Sequence, residues 1–135
     1  MSPMDLFSSD RVELGLRRYV EAVAAALGVG PEATFCELDS SASAYIALAE
    51  PLPGFPDRDV ALLWDDAHGW SLCVETYSGE DLIVLAYLAT TLLPEPETVV
   101  ACVAEMRSRH KFQPPRLPPA YAFSELHERL LDYAH

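Results

Sequence analysis

Apolar residues recur at helical spacing near the start of the chain: Val12, Leu16, Tyr19, Val20, Val23 and Leu27 share one side, leaving Arg17, Arg18 and Glu21 on a polar face. Asp10 followed three residues later by Glu13 reads as an approximate capping box, with Asp in place of Ser or Thr. Gly28, Gly30 and Pro31 stop the predicted helix. The rhythm then shortens to apolar runs separated by turn residues, the pattern of an antiparallel meander. It predicts strands at about 33–38, 44–49, 59–64, 70–77 and 82–88.

The third and fourth of these strands support each other. If the loop from Asp65 to Gly69 closes a hairpin with Trp64 opposite Trp70, then Leu62 faces Leu72 and Val60 faces Val74. A single register thus gathers six apolar side chains on one face, with Ser71, Cys73, Glu75 and Tyr77 on the other. The fifth run is apolar on both faces; the turn-like Ser78-Gly79-Glu80-Asp81 before it favours a strand over a helix. Pro94 and Pro96 open a second helix with Val99, Val103, Met106 and His110 on one face. Four prolines between Lys111 and Ala120 predict an extended linker. A last amphipathic helix, about 124–133, sets Leu126 and Leu130 on one side and pairs Glu125 with Arg129.

These elements define an α+β fold class: a two-layer sandwich, with a five-stranded antiparallel sheet flanked by N-terminal and C-terminal helices. Residues 1–110 form a single α+β domain, 111–120 a proline-rich linker, and 121–135 a C-terminal helix packing on the same or a neighbouring subunit. One sheet face needs fewer helices than this, so a homodimer is expected.

Charge narrows the partners. The 135 residues carry a formal net charge of −12, which disfavours nucleic acid and anionic membrane and leaves a basic protein partner open. The charge is concentrated: Tyr19 to Met106 holds fifteen acidic residues and one basic residue, Arg58. Neither a signal sequence nor an apolar run long enough to span a bilayer is evident. Cys36, Cys73 and Cys102 are odd in number, widely spaced and set among apolar neighbours, as expected of reduced core thiols in a cytoplasm.

Several stretches have a recognisable look. Arg18 to Ala24 ending at Leu27-Gly28-Val29, the run Leu52 to Asp59, Trp64-Asp65 with His68-Gly69-Trp70, and Leu92-Leu93-Pro94 together resemble an uncharacterised family of small acidic proteins of actinobacterial type, a domain of unknown function. The likeness covers about Arg17 to Met106. It implies a bacterial cytoplasm and supplies no catalytic residues.

The candidate chemistry is sparse. Asp65, Asp66 and His68 on a hairpin offer ligands to a divalent metal or a shared proton; the same residues suit a tight turn, with Gly69 supplying positive φ. No His-x-x-x-His or Cys-x-x-Cys spacing accompanies them. Phe55 and Arg58 lie in a proline-rich connection, where Phe55 either meets a partner at low entropic cost or folds back over the core edge. There is no Gly-x-Ser-x-Gly elbow, and Gly28-Val29-Gly30 ends a helix instead of opening one. No catalytic, cofactor or metal residue is therefore assigned.

The sequence is read as a non-catalytic intracellular protein-interaction module, dimeric, using its acidic surface to bind a basic partner through Phe55, Arg58, Asp65, Asp66 and His68. The alternative is a small-ligand or metal-binding domain with a pocket between sheet and helices, lined by Tyr45, Trp70 and Tyr77.

Overall fold

A computed structural model describes residues 10–38, 41–76, 81–88, 91–109, 111–113 and 123–134. The chain runs α1 (Asp10–Ala26), a short 3-10 turn (Pro31–Ala33), β1 (Thr34–Leu38), β2 (Ala42–Leu48), β3 (Val60–Asp65), β4 (Gly69–Glu75), β5 (Leu82–Tyr87), α2 (Pro96–Arg107) and α3 (Phe123–Tyr133). The strands form one antiparallel sheet in the order β1-β2-β3-β4-β5. This is the α+β architecture that the hydrophobic pattern predicts.

The expected register of β3 on β4 is present, with Trp64 opposite Trp70, Leu62 opposite Leu72 and Val60 opposite Val74. All six side chains are buried, because a shift of one residue would turn them all to the other face. Ala42, Ala44 and Ile46 of β2 continue that face, and α1 covers it with Val12, Leu16, Tyr19, Val20 and Val23. Helix α2 adds Val99, Val103 and Met106, and α3 adds Leu126 and Leu130. Helix α3 lies close against α1: a β-carbon at Gly15 would run into the backbone carbonyl of Leu130.

Helix α1 ends where its glycine allows it to. Gly28 has φ +83°, and the amides of Gly28 and Val29 reach back to the carbonyls of Ala25 and Ala24 at 3.0 and 2.9 Å. This is a Schellman closure, satisfying carbonyls that a helix end would otherwise leave unpaired. The predicted cap at the other end falls at the border of the described residues; Glu13 pairs with Arg17 at 3.0 Å.

The strand β2 begins two residues earlier than the pattern suggests. The amide of Ala42 donates to Asp66 Oδ2 at 2.8 Å, and the amide of Asp66 donates to the Ala42 carbonyl at 3.1 Å. This clasp extends pairing past the apolar run. A bulge between Leu72 and Cys73 on the β4–β5 ladder leaves Leu85 as the extra residue, and Leu85 is buried. The predicted turn at Ser78–Glu80, the side chain of His110, most of the proline-rich linker and the Glu125 side chain lie outside the described residues.

The connector from β5 to α2 is held by three buried or half-buried side chains. Trp64 Nε1 donates to the Leu92 carbonyl at 2.9 Å, Arg129 to the Leu93 carbonyl at 2.6 Å, and the Tyr19 hydroxyl to the Pro94 carbonyl at 2.7 Å. Trp70 Nε1 in turn donates to the Tyr19 oxygen at 3.0 Å. Sheet, α1, α3 and connector therefore share one hydrogen-bonded node, which sets where α2 begins.

Candidate interaction surface

Alternation along a strand sends every second side chain away from the helices. On this sheet the register aligns them in rows: Phe35, Tyr45, Leu63, Ser71 and Tyr87 form one, and Ala47, Ala61, Cys73 and Val84 the next. None of these nine belongs to the helix-covered core cluster. Among the described residues, no helix lies over this face. Phe35 is 62% exposed, and Tyr45, Leu63, Val84 and Tyr87 are half-buried. The small residues Ala61, Ser71 and Cys73 are buried between them.

Charge on the strands follows a simple rule. They carry three ionisable acids, Glu37, Asp65 and Glu75, and no Lys, Arg or His. All three acids project on the helix-free face: Glu37 pairs in register with Ser43, Ser43 with Asp65, and Glu75 with Leu82. Glu37 and Asp65 thus border the apolar rows on one side and Glu75 on the other.

The tyrosines join the apolar rows to these borders. Tyr45 donates to Glu75 Oε1 at 3.4 Å, and its hydroxyl pKa is raised by burial and then by the Glu75 charge. Burial, followed by the nearby Asp65 and Cys73, raises that of Tyr87. The Cys73 thiol is pushed up by its burial, partly offset by the Ser71 hydroxyl at 3.6 Å. All three groups are neutral at neutral pH, so the middle of the face is uncharged.

The hairpin residues do backbone work. Asp65 Oδ1 accepts from the amides of Ala67 and His68 at 2.8 and 2.6 Å, and His68 Nδ1 sits 3.2 Å from the same oxygen. Gly69 at φ +75° completes the turn. Asp66 holds Ala42, as described above. With both carboxylates aimed at amides, the loop has the chemistry of a turn, and no metal-holding group of three or more His, Cys, Asp or Glu occurs among the described residues. The His68 ring lies near that of Tyr87, with centroids 6.5 Å apart.

Phe55 folds back. Its ring is half-buried against the core and lies 6.5 Å from that of Phe112. The connection tightens through the Leu52–Phe55 bridge and the Phe55 and Arg58 amides, which reach the carbonyls of Leu52 and Phe55. This loop and the 65–69 hairpin stand at opposite ends of β3, about 17 Å apart by strand rise. The five residues singled out in the sequence thus lie in two groups, matching the two separate stretches they come from.

Residues 19–105 match the model of a family of unknown function, DUF6292. The chain belongs to this family. The DUF6292 region spans α1 from Tyr19, all five strands and α2 to Glu105, so it contains the whole helix-free face, while α3 lies beyond it. No curated protein and no solved structure matches the chain.

The pocket expected between sheet and helices does not form from the residues named for it. Trp70 is buried on the helix-covered face, Tyr45 lies on the opposite one, and Tyr77 is outside the described residues. A different cavity of about 300 Å³ lies between the end of α1, β2 and α2. Two charged residues line it, Glu50 and Arg107, and Arg107 donates to the carbonyls of Glu50 and Pro51 at 3.1 and 3.2 Å.

Proposed function

We propose that this protein is a non-catalytic protein-interaction module that docks a partner protein on the helix-free face of its sheet. The observation behind this reading is the row Phe35, Tyr45, Leu63, Ser71 and Tyr87: four large, mostly apolar side chains and one serine in register on a face that no described helix covers. Contiguous apolar surface of that kind is costly to leave in water and marks interaction sites. Three of its five positions, Phe35, Tyr45 and Tyr87, are aromatic, and aromatic side chains are enriched among the residues that carry most binding energy at interfaces. The three free cysteines, Cys36, Cys73 and Cys102, support a reducing bacterial cytoplasm as its setting, in keeping with the family likeness read from the sequence.

A native bacterial lysate provides the test. Tagged full-length protein and its Phe35→Ser variant are used to capture partners. Phe35 is exposed, so the variant keeps its fold, and unchanged thermal melting verifies this. The account expects one stoichiometric partner on the wild type and its loss on the variant. Equal capture by both would move the binding surface elsewhere.

Self-association is a second reading, and β5 favours it. This edge strand, Leu82–Tyr87, has no charged or proline residue, and its Ile83 is 43% exposed. Such an edge is a template for another strand, and a second β5 pairing with it would give a homodimer by sheet extension. Light scattering at varied concentration distinguishes monomer from dimer, and Ile83→Lys breaks this dimer without touching the helix-free face.

A further inference from the structure

We infer that the occupant of the helix-free face is a basic amphipathic helix of another protein, laid across the strands with its apolar side on the row Phe35–Tyr45–Leu63–Tyr87 and its Lys and Arg residues over the acids on either side. The inference rests on the interaction-surface reading and adds the chemistry of the partner.

Geometry supports a helix. From the row of Glu37 and Asp65 to the row of Glu75 and Leu82 is six residues along the strand, about 20 Å. A helix with its side chains is about 10–12 Å thick. It fits between the two acidic borders, with long basic side chains on both flanks reaching outward to them. Five strands spaced about 4.8 Å apart give the helix roughly 19 Å of sheet to cross, or some 13 residues. An apolar sheet face is also the surface against which helices pack in layered folds, as the opposite face of this sheet already demonstrates.

Charge selects the sign and argues against a second copy as the occupant. A like face meeting this one would bring Glu37, Asp65 and Glu75 against their own kind, with no strand cation to answer them. Five arginines of the helical layer have partners on their own chain. Arg17 pairs with Glu13 and Arg109 with Glu105, while Arg18, Arg107 and Arg129 donate to the carbonyls of Ala134, of Glu50 and Pro51, and of Leu93. Nucleic acid and anionic lipid are repelled by the same borders. What remains complementary is a partner that brings apolar surface and positive charge together.

The test titrates full-length protein into a fluorescein-labelled amphipathic helical peptide of leucine and lysine, followed by anisotropy. The same pattern built from leucine and glutamate is the control. Saturable one-to-one binding of the lysine peptide, with none of the glutamate peptide, is expected. Glu37→Gln combined with Glu75→Gln should weaken it roughly three- to tenfold and flatten its salt dependence. Phe35→Ser should weaken it by a similar factor at both low and high salt. Equal affinity for the two peptides, or no effect of the paired glutamine variant, overturns the basic partner; if Phe35→Ser still weakens binding, the docking face itself survives. No binding of either peptide, with light scattering showing a dimer that Phe35→Ser dissociates, overturns the inference and makes the face a self-interface. No binding and a monomer, with lysate capture unaffected by Phe35→Ser, overturns both.

Discussion

Replacing Tyr19 by Phe removes one oxygen from the centre of the molecule and leaves the ring in place. That oxygen donates to the Pro94 carbonyl at 2.7 Å and accepts from Trp70 Nε1 at 3.0 Å. Tyr19 and Trp70 are both fully buried, so solvent cannot replace either bond without opening the core. Burial raises the Tyr19 pKa, the Trp70 hydrogen bond offsetting it in part, so the group lost at neutral pH is a neutral hydroxyl. A buried donor or acceptor stranded without a partner costs about 1–3 kcal/mol. Tyr19→Phe strands two, and the relaxed structure recovers part of the sum, giving an expected loss of about 2–4 kcal/mol. That is a large share of the roughly 5–15 kcal/mol by which domains are stable. Urea unfolding at pH 7, followed by tryptophan fluorescence, reads it as a lower midpoint at unchanged slope. The edge-on contact of Tyr19 with Tyr133, centroids 4.9 Å apart, is kept by Phe and does not enter the difference. A loss under about 0.5 kcal/mol, the size of an ordinary surface substitution, would refute the node as the anchor of the connector.

Gly15→Ala reverses the usual propensity rule. In an exposed helix the change gains up to about 1 kcal/mol, but here the new methyl meets the Leu130 backbone, so α3 must move and the melting temperature falls by several degrees, about 1–3 kcal/mol. Asp66→Ala releases the start of β2 from the hairpin, and hydrogen exchange at the Ala42 amide should speed up while the β3–β4 ladder stays protected. Burial pushes the Cys36 thiol up to about 11, with Arg17 pulling the other way. Because the folded value lies above the unfolded value near 9.0, this stability is fully present below that pH and is lost as pH rises towards 11. Wild-type stability should decline across this window, and Cys36→Ala should decline less steeply.

What could be read in advance follows from which forces are local. The Val60–Trp64 and Trp70–Val74 pairing was legible because one register alone buries six apolar side chains. The α1 stripe and the Gly28 stop were legible for the same reason: periodicity and glycine chemistry act within a few residues. The helix-free face was hidden. Ser71, Cys73 and Glu75 read as a mixed outer side, and only the sheet order places Phe35, Tyr45 and Leu63 in line with Ser71 and Tyr87. Leu63, apolar on the side away from Leu62 and Trp64, was the available signal. Asp65 and Asp66 drew attention as paired carboxylates, yet each serves a backbone amide, a role set by the turn and by a strand 24 residues away. Phe55 folds back over the core edge, one of the two readings its loop offered, and its ring lies 6.5 Å from that of Phe112.

Photo-crosslinking inside the cell tests the central claim most directly. The full chain is made with benzoylphenylalanine in place of Phe35, on the helix-free face, and separately in place of Glu21, an exposed position on α1. The account predicts one discrete adduct with a different protein from position 35 and none from position 21. Adducts from position 21 alone, or an adduct from position 35 that contains only a second copy of this chain, would contradict it.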